Sequence, residues 1–190
     1  MSSARTSQTS SEHRICTVGH STRSFDELRA LLQAAEVELL VDVRSVPHSR
    51  RHPQFERDAL ARSLSASGIG YVHERALGGF RKPRADSPNG GWEHPAFRGY
   101  ADYMATPEFA AALSELQARA VERAVCIMCA EAQWWRCHRR LISDALLVRG
   151  WEVLHLGLRA EPVTHELTPF AVLGVDGALS YPPPQATLPL

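Results

Sequence analysis

The chain has 190 residues, 44% hydrophobic and 22% charged, which is enough to bury the core of one globular domain. Its 21 basic and 21 acidic side chains give a formal net charge of zero, which argues against bulk, non-specific attraction to nucleic acid. No apolar run approaches the roughly 20 residues that span a bilayer. Residues 1–13 are polar and lack the apolar run of a secretory signal, so we expect a disordered lead-in and a cytoplasmic protein.

Strands and helices alternate in the predicted order of elements along the first half of the chain. The prediction is a strand in 15–21, a helix in 24–36, an apolar strand in 37–47, a helix in 53–68 and a strand in 69–79. Ser24 and Glu27 form a capping-box pattern at the start of the first helix. The second strand is largely apolar up to Asp42, which is typical of a strand buried on both faces.

A long loop, residues 80–95, separates these elements from a second set of helices and strands. Its Pro, Gly, Ser and Asn content and its length are typical of a lid or binding loop. The prediction continues with helices in 95–104 and from 106, a strand in 123–130, a helix in 137–150 and a strand in 151–156. In the Pro-rich tail, the pair Asp176-Gly177 between two apolar runs predicts a hairpin.

This alternation predicts a single α/β domain in residues 14–160, with a mainly parallel sheet of about five strands and flanking helices, and a C-terminal extension in 161–190. Ligand sites in such sheets lie beyond the carboxyl ends of the strands. Polar residues lie at or near the predicted strand ends: Gly19-His20-Ser21, Asp42-Val43-Arg44, Tyr71 with His73, Cys129-Ala130-Glu131, and His155. We therefore predict one site at this edge of the sheet.

Six short motifs follow one another along the chain: Gly19-His20-Ser21, Asp42-Val43-Arg44, Pro47 with Ser49-Arg50, Leu77-Gly78-Gly79, Cys129-Ala130-Glu131 and Cys137-His138-Arg139. As an ordered set over about residues 15–160, they resemble the family called domain of unknown function 488. The resemblance implies an α/β fold and no settled activity. Trp134-Trp135 departs from the family pattern, which has a proline-containing link between the Glu and the second Cys.

The cysteines are better interpreted as thiols or metal ligands than as a disulfide framework, because we expect a reducing compartment. They are Cys16, Cys126, Cys129 and Cys137. Cys126 and Cys129 form a Cys-x-x-Cys pattern, but an offset of three within a strand places two side chains on opposite faces. We therefore do not interpret this pattern as a redox or zinc motif.

The candidate catalytic residues are Glu131, Cys129, Cys137, His138 and His20. Cys137 and His138 lie at a predicted helix start, where free N–H groups and the helix dipole favour an anion, so Cys137 is a candidate nucleophile. Glu131 could act as a general acid or base, or else form a structural ion pair with a nearby arginine. The structural alternative for Cys137 and His138 is a small buried residue followed by a helix cap.

The candidate ligand-binding residues are Ser21, Asp42, Arg44, Ser49, Arg50, Arg139, Tyr71 and His73. From Arg44 to Arg84, nine cations outnumber three carboxylates, which gives a local charge of +6. Arginines make bidentate contacts to phosphate and serines add neutral donors, so we expect a phosphate-bearing ligand. Aromatic residues near the arginines, such as Phe80 and Trp134, suit base stacking and favour a nucleotide or a nucleic acid. The fingerprints of dinucleotide-binding and P-loop proteins are absent.

Two other classes of protein remain as alternatives. One is a nucleic-acid-binding module without catalysis, formed by the basic segment and the aromatic loops. The other is a thiol or metal protein in which Cys129, Cys137 and His138 could bind zinc, although Cys-x7-Cys-His matches no standard zinc finger. This class includes enzymes of sulfur transfer. We consider that reaction because residues 39–45 resemble the Asp-Val-Arg strand of rhodanese-like enzymes. However, no cysteine precedes the short anion-binding loop that a persulfide requires.

Overall fold

The computed structural model describes residues 13–175 and 177–184. Almost all of the predicted lead-in, and Asp176 of the predicted tail hairpin, therefore lie outside the described residues. None of the helices in these ranges is long and apolar enough to cross a membrane.

Strands and helices alternate over most of the described chain. The strands are β1 (Arg14–Gly19), β2 (Leu39–Asp42), β3 (Gly70–His73), β4 (Val125–Cys129), β5 (Glu152–His155), β6 (Val163–Thr164), β7 (Val172–Leu173) and β8 (Leu179–Ser180). The helices are α1 (Phe25–Ala34), α2 (Arg57–Ser65), α3 (Pro95–Met104), α4 (Pro107–Glu122) and α5 (Arg139–Leu147). Short 3₁₀ turns lie at Pro53–Phe55, Arg75–Leu77 and Trp134–Arg136.

Six strands form one sheet in the order β3-β2-β4-β1-β5-β6. Strands β1 to β5 are parallel, and the short β6 pairs antiparallel with β5. The predicted α/β fold with a mainly parallel sheet is confirmed, with one strand more than expected. Strands β7 and β8 form the predicted hairpin of the tail as a separate two-stranded sheet.

The sheet carries a hydrophobic core on each face, because successive side chains of a strand point to opposite faces. On the first face, Leu28 of α1 and Leu60 of α2 belong to one buried cluster with Leu40 of β2. On the second face, residues of α3, α4 and α5 belong to another buried cluster with Ile15 and Ile127. All residues of β2 and β4 are buried, as expected for central strands covered on both sides.

Two predicted helix starts differ from the observed ones. Helix α2 begins at Arg57 instead of Pro53, because residues 53–55 form a 3₁₀ turn and Glu56 is extended with ψ 141°. Helix α5 begins at Arg139, two residues after the predicted start, with His138 at its N-cap. The capping box of α1 is confirmed.

The junction of β1 and β4 is a topological switch point of the sheet. Helix α1, which follows β1, covers the first face, whereas α5, which follows β4, covers the second face. Ligands of open α/β sheets bind where neighbouring strands send their chains to opposite faces in this way. The motifs Gly19-His20-Ser21 and Cys129-Ala130-Glu131 lie at this point.

Candidate functional site

The ends of β1 and β4 contact each other directly at the switch point. The His20 N–H donates to the Cys129 carbonyl at 3.0 Å, and a second bond of 2.8 Å joins the residues that follow them. Gly19 permits this approach, because a Cβ atom there would lie 1.8 Å from the carbonyl oxygen of Glu131. Two of the motifs are therefore neighbours in space, as the parallel sheet predicts.

An ion pair is buried beside this junction, on the first face. Arg44 Nε and Nη2 donate to the carboxylate of Asp42 at 2.9 and 2.6 Å. Arg44 also donates to the Phe55 carbonyl at 2.9 Å, and the Tyr71 hydroxyl donates to Asp42 at 2.8 Å. Asp42 therefore fixes the orientation of the Arg44 guanidinium. Protein groups therefore occupy the donors of Arg44 that were expected to hold an anion.

His20 is neutral next to this ion pair. Its Nδ1–H donates to the Ser21 carbonyl at 3.0 Å, so its Nε2 accepts from Arg44 Nη1 at 3.3 Å. Burial and the charge of Arg44 lower the pKa of His20 to about 4. The imidazole also stacks on Phe55 with ring centroids 4.2 Å apart. In this position His20 accepts a hydrogen bond from the arginine of the ion pair. Its imidazole carries no positive charge at neutral pH.

Two thiols and an imidazole meet on the second face, next to the end of β4. We call Cys129, Cys137 and His138 the thiol–imidazole cluster. His138 Nδ1 lies 3.6 Å from Cys137 Sγ and 3.9 Å from Cys129 Sγ, and the three atoms lie within 4.8 Å of one another. Cys126 packs in the core of the first face, so the prediction that it and Cys129 lie on opposite faces is confirmed.

A backbone carbonyl sets the tautomer and the orientation of His138. Its Nε2 lies 3.1 Å from the Val43 carbonyl, so Nε2 carries the proton and the lone pair of Nδ1 is directed at the two sulfur atoms. Gly79 leaves room beside this nitrogen, because a Cβ atom there would lie 3.1 Å from Nδ1. His138 makes no side-chain capping bond to α5, so the alternative interpretation as a helix cap is not supported.

The environment of the cluster favours the thiolate form of one cysteine. Burial opposes ionisation of Cys137, but the hydrogen bond from Cys129 and the neighbouring His138 and Arg139 lower the pKa of Cys137 well below that of a free thiol. The same hydrogen bond, together with burial, raises the pKa of Cys129. By contrast, burial raises the pKa of Cys16, which lies outside the cluster, to about 11.

Arg139 is a buried cation beside the cluster, with 1% of its surface exposed. It donates to the Thr17 hydroxyl at 3.1 Å, to the Glu131 carbonyl and, at 3.4 Å, to the Ala132 carbonyl. These partners are all neutral, and within the described ranges the Arg139 Nε has no hydrogen-bond partner. A negative charge on the neighbouring sulfur atoms would therefore compensate a cation that is costly to bury alone.

A chain of buried hydrogen bonds leads from Arg139 to the C-terminal extension. The Thr17 hydroxyl lies 2.8 Å from His155 Nδ1, His155 Nε2 lies 3.0 Å from His165 Nδ1, and His165 Nε2 lies 2.9 Å from Asp144. Burial, His165 and Arg139 lower the pKa of His155 to about 2, so this imidazole is neutral. The chain links a buried cation to a buried carboxylate through one hydroxyl and two imidazoles.

The sequence reasoning did not identify Thr17, Asp144 or His165 as neighbours of the site. Asp144 also accepts from the hydroxyls of Thr168 and Tyr181, at 2.7 and 2.9 Å. The only signal for Asp144 in the sequence was an aspartate within the predicted helix that follows Cys137. Its partners in the extension lie 21 to 37 residues further along the chain and could not be inferred from local pattern.

Several predicted site residues contribute no side-chain atom to the Asp42–Arg44 ion pair or to the thiol–imidazole cluster. Strand β4 ends at Cys129, and the Glu131 side chain beyond it is exposed. In the loop after β2, the Ser49 N–H donates to Glu56 at 2.6 Å, and Arg50 is exposed. The His73 imidazole donates to the Arg44 carbonyl at 2.8 Å, and Ser21 is half-buried at the switch point. Arg44 and Arg139 lie on opposite faces of the sheet and do not share one pocket.

A surface groove of about 740 Å³ adjoins the thiol–imidazole cluster, a size in the range of small-molecule sites. Gly79, which packs against His138, forms part of its lining, and Ser45 donates to the Gly79 carbonyl at 2.8 Å. Phe80, also part of the lining, is 88% exposed and adopts a left-handed φ of 59°, which is rare for a bulky residue.

Charged side chains of both signs line this groove: Arg75, Arg81, Glu74, Glu108 and Glu115. Arg119, from outside the groove, pairs with both Glu74 and Glu115 at 3.1 Å, so that with Arg119 the cations and the carboxylates are equal in number. The Arg81 guanidinium lies over the ring of Tyr103, 3.6 Å from its centroid. Arg81 Nε and Nη2 also donate to the Gly78 and Ala76 carbonyls at 3.3 and 3.2 Å, so the groove offers a ligand the exposed Arg75, the Nη1 group of Arg81 and the exposed ring of Phe80.

The fold and these contacts define an α/β protein with a thiol–imidazole cluster at the carboxyl edge of its parallel sheet. The chain belongs to the family described as "Domain of unknown function DUF488", whose model matches residues 24–146. The matched segment contains all the motifs noted above except Gly19-His20-Ser21. Searches among curated proteins and among solved structures each gave no match.

Proposed function

We propose that this protein is an enzyme whose reactive centre is the thiol–imidazole cluster and whose substrate is a phosphate-bearing ligand. One observation carries the proposal. The unprotonated Nδ1 of His138 is directed at sulfur atoms 3.6 and 3.9 Å away, while Nε2–H is held by a backbone carbonyl. A thiol beside an oriented imidazole is the arrangement that activates cysteine nucleophiles.

The Cys137 thiol proton has an acceptor within reach. Its transfer from Sγ to His138 Nδ1 produces a thiolate and an imidazolium at 3.6 Å. Arg139, whose hydrogen-bond partners are neutral oxygens, adds a positive charge that stabilises the thiolate. Glu131, exposed at the switch point, is the candidate general acid or base for a bound substrate.

The groove next to Gly79 supports the choice of a phosphate-bearing ligand. Arg75 and Arg81 belong to the +6 segment and can contact phosphate oxygens. The ring of Phe80, which is 88% exposed, offers a surface on which a base can stack, so a nucleotide or the end of a nucleic acid fits this site best.

Alkylation kinetics test the reactive centre. In metal-free protein at pH 7, iodoacetamide should modify Cys137 or Cys129 faster than Cys16, as measured for each peptide by mass spectrometry. Cys16 is a matched control, because it is as exposed as Cys129, at 7%, and burial raises its pKa. The substitution His138→Gln should slow the fast reaction about tenfold, because the thiolate loses its partner. Equally slow modification of all three cysteines would contradict the proposal.

Titration with a fluorescent adenine nucleotide and with a short labelled single strand tests the ligand. Arg75→Ala and Arg81→Ala should each weaken binding about tenfold, the value of one charged hydrogen bond. Arg29→Ala, on the surface of α1, is the control and should leave binding unchanged. Cys137→Ser should abolish conversion of the bound probe, followed by mass spectrometry, while binding persists.

A non-catalytic nucleic-acid-binding module is the second candidate, and the exposed Arg50 and Arg51 of the basic segment favour it. The same titrations separate the two functions. Binding that falls steeply with salt, without conversion of the probe and without change in Glu131→Gln, would establish the module and exclude the enzyme.

A further inference from the structure

We infer that Cys129, Cys137 and His138 are the ligands of one zinc-class divalent metal ion. The inference deepens the proposed function and rests on its assignment of these residues as the reactive centre. Thiolate and imidazole ligands suit zinc and similar transition metals, whereas magnesium and calcium prefer oxygen. The donors come from two separate elements, the end of β4 and the segment before α5, which the fold brings within 4.8 Å.

The spacing of the donor atoms matches a tetrahedral centre. With Zn–S bonds of about 2.3 Å and a Zn–N bond of about 2.0 Å, tetrahedral angles place the ligand atoms about 3.5 to 3.8 Å apart. The two distances from sulfur to His138 Nδ1 are 3.6 and 3.9 Å. The two sulfur atoms lie within 4.8 Å of each other, against about 3.8 Å in such a centre, so one ion can contact all three atoms once the sulfur atoms approach each other by up to about 1 Å.

His138 has the second contact that is typical of a metal-binding imidazole. Such a histidine donates its other N–H to a carbonyl or carboxylate, which fixes the ring and its tautomer. Here Nε2–H donates to the carbonyl of Val43, a fully buried residue immediately after β2. This bond leaves Nδ1 unprotonated and directed at the sulfur atoms before any ion arrives.

Gly79 provides space at the metal-binding nitrogen. A Cβ atom at this position would lie 3.1 Å from His138 Nδ1 and would crowd an ion bound there. The residue also forms part of the lining of the groove described above. The three protein ligands leave the fourth coordination position of a tetrahedral ion open. A fourth ligand reaches the ion from this side.

The charges near the centre favour an anion as the fourth ligand. Two thiolates, a neutral imidazole and a divalent ion sum to zero. The buried Arg139, whose partners are neutral oxygens, then adds one positive charge nearby. Hydroxide or a phosphate oxygen would balance this charge, which connects the metal centre to the phosphate-bearing ligand proposed above. With metal bound, the two thiolates act as ligands, so the nucleophilic role proposed for Cys137 belongs to the metal-free protein.

Cobalt(II) titration of the metal-free, full-length protein tests the inference, with Co²⁺ alone as the probe. We expect one Co²⁺ per chain, a thiolate-to-cobalt charge-transfer band in the near ultraviolet, and the intense visible bands of a tetrahedral site. One equivalent of Zn²⁺ should displace the Co²⁺. Cys129→Ser and Cys137→Ser should each weaken binding about 100-fold or more, because each removes a ligand.

Matched variants separate loss of the site from loss of the fold. Cys16→Ser and Cys126→Ser remove buried thiols outside the cluster and should leave Co²⁺ binding unchanged. Gly79→Ala keeps all three ligands but places a methyl group next to Nδ1, and it should weaken binding roughly tenfold. Circular dichroism of each metal-free variant establishes that the fold is retained.

The outcomes distinguish the metal centre from the proposed thiol chemistry. Co²⁺ binding without the charge-transfer band, or binding that survives Cys137→Ser, would overturn the metal centre. Fast alkylation of the cluster in a protein that binds no Co²⁺ would overturn it as well, while leaving the reactive thiols in place. The expected cobalt spectrum together with equally slow alkylation of every cysteine would support the metal centre and contradict the nucleophilic role.

Discussion

Two arginines are buried at the carboxyl edge of the sheet, and their charges are compensated in different ways. Arg44 has a carboxylate partner, Asp42, and a neutral histidine beside it. Arg139 donates only to a hydroxyl and two carbonyl groups and lies beside the thiol–imidazole cluster. The charge of Arg44 is compensated within the protein, and this ion pair stabilises the fold. The arrangement around Arg139 leaves a positive charge without a carboxylate partner among the described residues, and a thiolate of the cluster would compensate it.

The ion pair on the first face yields a prediction for stability. Asp42→Asn keeps the shape of the side chain but leaves the Arg44 charge buried without a counter-charge, and it should lower the free energy of unfolding by about 3–5 kcal/mol. Urea unfolding followed by circular dichroism measures the change. Asp86→Asn, which breaks an exposed ion pair with Arg84 at 2.7 Å, is the control and should have little effect. Equal effects of both variants would contradict the prediction.

At the scale of elements, the C-terminal extension is attached to α5 through a buried carboxylate and through Arg140, which donates to the Thr168 hydroxyl at 2.9 Å. Asp144 of α5 accepts hydrogen bonds from His165, from the backbone and hydroxyl of Thr168, and from Tyr181. The same helix begins at Arg139, so the extension and the site share a rigid element. Residues 161–190, predicted as an extension, therefore include buried contacts to the element that carries part of the site.

Tyr181→Phe tests this attachment. It removes one hydrogen bond of 2.9 Å to the Asp144 carboxylate and should lower the free energy of unfolding by about 2 kcal/mol. Tyr103→Phe is the control, because its hydroxyl is bound to the neutral carbonyl of Ala76 at 2.7 Å, and it should cost about 1 kcal/mol. Thermal and urea unfolding of the two variants give the comparison. A Tyr181→Phe effect smaller than that of the control would show that the carboxylate does not need this donor.

At the scale of the whole molecule, two buried neutral histidines make stability depend on pH. Burial and nearby positive or imidazole groups lower the pKa of His20 to about 4 and that of His155 to about 2. In the unfolded chain both titrate near 6.5. Below that pH the unfolded chain binds protons that the folded chain does not bind, so the free energy of unfolding falls as the pH drops from 6.5 toward 4.

Between pH 7 and pH 5, the metal-free protein should therefore lose nearly 4 kcal/mol of stability, roughly twice the contribution of a little under 2 kcal/mol from each histidine. Urea unfolding at a series of pH values measures the slope. His20→Asn should remove about half of it, because one of the two linked groups is gone. A slope that is flat from pH 7 to pH 5, or one that His20→Asn leaves intact, would contradict the assignment of these histidines as neutral.

Local patterns in the sequence predict much of this fold. The capping box at Ser24 and Glu27 is present, the apolar run before Asp42 is a central strand, and the tail forms its hairpin. These features depend on residues close together in the chain, so the sequence carries their signal. The boundaries were less accurate where an extended residue such as Glu56 delays a helix.

The sequence by itself therefore determined the fold class, the order of elements and the edge of the sheet at which the polar motifs gather. Only the tertiary structure decided that Arg44 is paired on one face, while Cys129, Cys137 and His138 meet on the other. Contacts such as His138 to Val43 join residues 95 positions apart. Which donors are already bonded and which charges lack a partner depends on neighbours that packing brings together, and local sequence does not contain that information.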